Sequence, residues 1–113
     1  MKESRLFQFS DQIKIEDLGN GIKRQLYDFN GQLMMVKVIF DKGAIGSLHH
    51  HQHTKVTYVE SGVFEMMIGD KKETISKGDG FYVPPYEIHG IICLEPSVLI
   101  DVFSPVREDF LEL

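Results

Sequence analysis

Apolar residues in this chain come in short runs rich in Val, Ile, Phe, Tyr and Thr, each soon broken by Gly, Pro, Asn or Asp, and a helical period is nearly absent. Such runs predict strands. In LMMVKVIF (33–40), Met34, Val36, Val38 and Phe40 fall on one face and Lys37 on the other, as in a sheet with one side buried. Residues 57–75 read as two successive hairpins, turning at Glu60-Ser61-Gly62 and at Gly69-Asp70-Lys71-Lys72. FYVPP (81–85) is a short strand stopped by prolines, HGIICL and SVLIDVF are two more, and GIKRQLYDF supplies an early one. At least eight strands with a turn every eight to twelve residues predict an all-β sandwich or small barrel.

Length and composition narrow the class. A chain of 113 residues is read as a single domain spanning 1–113, with 1–20 as an N-terminal arm and the core over 33–108. Twelve basic against seventeen acidic residues leave no basic excess for a phosphate backbone, so nucleic acid is not an expected partner. The opening MKESRLFQFSDQIK has no apolar core, and no later run approaches the ~20 residues that span a bilayer. The expectation is a cytoplasmic protein without membrane contact, and the lone Cys93 excludes an internal disulfide. The run Leu6-Phe7-Gln8-Phe9 has apolar residues but no evident core position, which predicts a homodimer in which the arm, or the outer face of 33–40, packs on a second copy.

The chemistry concentrates in GSLHHHQHTKVTYVESG (46–62). In an extended chain His49, His51, His53 and Lys55 share one face, and His50, Gln52 and Thr54 take the other. An H-x-H pair on a strand can bring two imidazoles to one ion, although histidines in loops are more often solvated or hydrogen-bonded. A third ligand from elsewhere would make a metal site with open positions.

His89 offers that ligand, within a pattern that resembles the cupin superfamily. The first cupin signature is Gly, five residues, H-x-H, three or four residues, Glu, six residues, Gly; residues 43–62 match with Gly43, His49, His51, Lys55 and Gly62. The second is Gly, five residues, P-x-G, two residues, His, three residues, Asn; residues 78–93 match with Gly78, Pro84, Tyr86, His89 and Cys93, where Tyr86 and Cys93 replace the Gly and Asn. A register starting at His51-x-His53 leaves neither the Gly nor the later position at the right distance. The resemblance implies a cupin jelly-roll, a conical double-stranded β-barrel. It further implies one divalent transition metal ion (Zn, Ni, Fe or Mn) held by His49, His51 and His89; His53 points inward by parity and is expected at the rim of the site.

Lys55 stands where cupins offer a Glu or Gln ligand. An ammonium about 5 Å from a divalent ion would be repelled by about 7 kcal/mol at an effective dielectric of about 20. Four outcomes are open: Lys55 turns aside, loses its proton, replaces the metal as the cation that holds an anion, or snorkels to solvent from a bulged strand.

The closing stretch SVLIDVFSPVREDF, together with GIKRQL, QLMMVKVIFDKGA and VPPYEIHG, resembles the KdgF branch of cupins, associated with pectin and alginate breakdown. That resemblance implies ring opening of a 4,5-unsaturated uronate to its linear keto form, with Asp101, Phe103 and Arg107 as pocket residues and the branch's Gln ligand falling on Lys55. Asp101 and Arg107 are the candidate catalytic residues, and Phe103, Arg107, Lys55 and His53 the candidates for binding substrate. The residues agree in part: Asp101 on an apolar strand is costly unless paired or functional, and Arg107 has the fork that clamps a carboxylate. Each also has a plain reading, Asp101 as a partner of Arg107 or a turn cap and Arg107 as an exposed tail charge. Tyr58, Tyr82 and Met34 are expected in the core or its lining, and Arg24 and Gln25 facing the cavity. The alternatives for function are a non-catalytic module that binds a small anion, or a three-histidine iron dioxygenase.

Overall fold

Two long strands, β5 (Thr54–Ile68) and β8 (His89–Ser104), run antiparallel along their length and form the spine of a computed structural model that describes residues 2–111. Flanking them are β1 (Glu16–Gly19), β2 (Ile22–Asn30), β3 (Leu33–Phe40), β4 (Ile45–His49), β6 (Lys71–Ser76) and β7 (Gly80–Val83). All pairings are antiparallel, in the order β1-β2-β3-β8-β5-β6, with β4 joined to β8 and β7 to β5. The long strands serve both layers of the jelly roll, with β3 and β7 beside one half and β4 and β6 beside the other. No helix among the described residues is long and apolar enough to cross a membrane.

The alternation expected over 33–40 is present: Met34, Val36 and Phe40 are buried and Val38 half-buried. Two other expectations need correction. The turn at Glu60-Ser61-Gly62 is a bulge inside β5, because the strand stays paired to β8 while its register shifts between Val59 and Phe64. Gly62 has a φ of +93° there, and a Cβ on it would overlap Ser97. HGIICL and SVLIDVF are likewise one bent strand, and across the bend the Val63 N–H donates to Ser97 Oγ at 3.1 Å, replacing a ladder bond. Ser-Gly and Glu-Pro pairs signal bulges as readily as reversals of the chain. The second turn does reverse it, in two residues, Gly69 and Asp70.

Within the expected arm, residues 16–19 add β1 to the edge of β2. Ser4 is tied to Phe29 by its N–H (2.9 Å) and by its Oγ, which accepts from the Phe29 N–H (3.0 Å). The Gln25 amide donates to the Ser10 and Ile13 carbonyls (3.2 and 3.1 Å), so this buried side chain holds the N-terminal segment rather than facing the cavity.

Register fixes what looks inward. One inner row runs Met34–Phe103–Lys55–Val83 across β3, β8, β5 and β7, and the next runs Leu26–Val36–Asp101–Thr57–Phe81 from β2. Met34, Val36, Phe103 and Val106 form one buried cluster, and Phe40, Val59, Phe64, Leu99 and neighbours form the other. With Thr57 inward, Tyr58 must point outward; Tyr58 and Tyr82 are 54% and 55% exposed, not core.

Candidate metal centre and its pocket

β4 ends at His49 directly opposite His89, the first residue of β8, and the chain then leaves the sheet through residues 50–53. The Tyr86 N–H donates to the His51 carbonyl at 2.7 Å, so the turn before β8 pins the loop that carries His51. Tyr86 makes this contact with a φ of +65°, at the position where cupins have glycine. The outcome is a cluster in which ligand atoms of His49, His51 and His89 all lie within 4.8 Å of one another.

Their hydrogen bonds suit a cation. His49 Nδ1 lies 2.7 Å from the Ser47 carbonyl and His89 Nδ1 2.9 Å from the Glu87 carbonyl. A carbonyl only accepts, so both rings carry a proton on Nδ1, and Nε2 is the nitrogen each can offer to an ion. Buried His89 Nε2 and both nitrogens of His51 have no partner in the protein, and each such orphan costs about 1–3 kcal/mol unless something binds it. Burial lowers the pKa of His51 to about 4, helped by Arg107, His89 and Lys55, and burial likewise lowers His89 to about 4 against the opposing Glu87 hydrogen bond. Neutral imidazoles are the form a metal requires, and the lowered values of His51 and His89 beside the clustered His49 fit the ion. His53 is not one of the clustered ligands, and its Nε2 is turned to the Val106 carbonyl at 3.2 Å.

A cavity of about 110 Å³ is lined by His49, His89, Lys55 and Asp101 together with apolar Phe40, Met66 and Leu99. Of the four outcomes open to Lys55, the snorkelling one is excluded, because its side chain is only 12% exposed and β5 is regular at this point. Its Nζ lies 3.8 Å from Asp101 Oδ2, while Thr57 Oγ1 donates to Asp101 Oδ1 at 2.6 Å. Asp101 therefore pairs with Lys55 and not with Arg107. Arg107 donates through Nε and Nη2 to Asp109 (3.0 and 2.8 Å), whose carboxyl is held below the usual range mainly by that hydrogen bond. Its guanidinium stacks on Phe103 and Phe110, and Arg24, paired with Glu16, lies over the Phe110 ring at 4.0 Å. The roles of Thr57 and Asp109 were not foreseen; strand parity points Thr57 inward with Lys55, but only the register sets it against Asp101.

A β-barrel carrying three clustered histidines from two separate motifs defines a cupin. The chain belongs to that family: a cupin domain matches residues 36–103. It is 45% identical over 109 residues, 95% of this chain and 99% of the relative, to the pectin degradation protein KdgF of Dickeya dadantii. Among solved structures it resembles an RmlC-like cupin from Shewanella frigidimarina (47% identity, TM-score 0.95, 97% of this chain and 99% of that one). It also resembles KdgF from Halomonas sp. (38% identity, TM-score 0.90, 95% and 99%).

Proposed function

We propose that this cupin opens the ring of a 4,5-unsaturated uronate to its linear keto form. The observation that carries the reading is a buried carboxylate, Asp101, on the wall of the same cavity as His49 and His89, in a chain 45% identical to a pectin degradation protein. Ring opening is an isomerisation: the bond between ring oxygen and anomeric carbon breaks, the anomeric hydroxyl loses a proton, and C4 gains one. One carboxylate passing one proton balances it, and Asp101 takes that role. Arg107 holds the substrate carboxylate, with Phe103, Lys55 and His53 around the sugar. His49, His51 and His89 would hold a divalent ion, which supplies a Lewis acid for a substrate oxygen.

Incubation with 4,5-unsaturated galacturonate should remove the ultraviolet absorbance of its conjugated double bond; stable absorbance with the metal-loaded protein sinks the reading. A second reading, capture of a small anion without turnover, is favoured by one observation, the Lys55 ammonium beside the histidines, and predicts binding with no absorbance change. Oxygen consumption with iron added would instead mark a dioxygenase.

Our reading includes a cytoplasmic homodimer. Its support is an outward row, Met35–Val102–Val56–Tyr82, that is apolar across four strands, with Met35, Val56 and Tyr82 exposed, beside an arm whose Leu6 and Phe7 are 91% and 76% exposed. Light scattering at micromolar concentration should give twice the 13.0 kDa chain mass; the chain mass itself refutes the dimer.

A further inference from the structure

The buried ion pair beside the histidines has a consequence that ring opening does not call for. Lys55 and Asp101 line one small cavity with His49 and His89, and both are almost withdrawn from solvent, at 12% and 7% side-chain exposure. Charges so enclosed are weakly screened, and each acts on whatever the histidines bind. The carboxylate draws a cation in and the ammonium repels it, so the pair leaves the cavity neutral. A divalent ion on three neutral imidazoles then brings two uncompensated positive charges. The Lys55 ammonium faces that charge with N–H donors to spare, since its 3.8 Å contact with Asp101 is too long for a hydrogen bond.

We propose that the Lys55–Asp101 pair sets the charge of the histidine site, Lys55 cancelling the pull of Asp101 on the metal and giving its free N–H donors to an anionic oxygen of the ligand, so that metal and anion bind cooperatively. This rests on the three-histidine reading of the site. It deepens the proposed function by coupling the affinity of the metal site to a carboxylate-bearing ligand.

The test is a charge ladder, with zinc affinity measured by chelator competition at pH 7.5 in the full chain. Lys55→Leu leaves a net charge of minus one beside the histidines, wild type and the double variant Lys55→Leu/Asp101→Asn leave zero, and Asp101→Asn leaves plus one. Zinc affinity should fall in that order, by about tenfold or more per step, with wild type and the double variant alike. The double variant also guards the test if Lys55→Leu, which strands a buried carboxylate, fails to fold. Acetate, used as the anion probe, should raise zinc affinity in the wild type more than in either protein that carries Lys55→Leu, and zinc should raise acetate affinity by the same factor. Affinities that ignore the order, or an acetate effect independent of residue 55, overturn the proposal. If His89→Ala binds zinc as tightly as wild type, the three-histidine reading itself has failed; if His89→Ala loses zinc while the charge variants match wild type, only this proposal has.

Discussion

Replacing Asp101 with Asn keeps an acceptor for Thr57 Oγ1 and removes the charge opposite Lys55. At 3.8 Å the gross attraction is about 4 kcal/mol for an effective dielectric of about 20. Lys55 retains a little exposure and can swing toward water, so the net loss should be about 1–3 kcal/mol, below the 3–5 kcal/mol usual for stranding a fully buried charge. For a domain of this size that lowers the midpoint of thermal unfolding by roughly 5–15 °C, and the variant remains folded at 25 °C. Turnover should fall much further, by roughly 10²–10⁴, because the proton acceptor is gone. Adding Lys55→Leu removes the stranded ammonium, so the double variant should regain stability without regaining turnover. Thermal melts and ring-opening rates on the same preparations test both halves. A rate per folded molecule within about threefold of wild type refutes the catalytic role, and an unchanged melting temperature refutes the ion pair's contribution to stability.

Acid should destabilise the metal-free protein earlier than its carboxylates alone require. His51 and His89 have folded values of about 4 against an ordinary 6.5, so the stability tied to their neutral forms is complete above pH 6.5 and lost as pH falls toward 4. At pH 5 the loss is about 2 kcal/mol for each histidine. Melting temperatures that stay level between pH 7 and 5 would contradict this, and zinc should hold them up. Tyr86 adopts a left-handed φ of +65°, which costs a non-glycine residue about 1–2 kcal/mol. After the entropy that glycine adds to the unfolded chain, Tyr86→Gly should stabilise the fold by about 0.5–1 kcal/mol in urea unfolding, and a loss of stability would mean that the exposed ring has a packing role.

Strand 33–40 and the spacing of His49, His51 and His89 were legible in the sequence because both depend on short-range periodicity and on motif intervals. The continuity of β5 and β8 was not, since the residues that permit a bulge at Gly62 are also those that make turns. Lys55 could be given a face by parity but not a partner. Asp101 lies 44 residues beyond Thr57, and their opposition follows from the β5–β8 register, which no local pattern sets. Arg107 was recognised as a fork and its closest partner missed, because an Arg with Glu108 and Asp109 beside it reads as a solvated tail until Phe103 and Phe110 fold against it.

The central claim is that these histidines hold a metal in a cupin barrel, and metal analysis of protein purified without chelator or histidine tag tests it most directly. Wild type should carry close to one transition ion per chain after refilling with Zn, Ni, Mn or Fe, and His89→Ala, measured alongside, should carry almost none. Equal metal content in the two proteins, or none in either, would contradict the account.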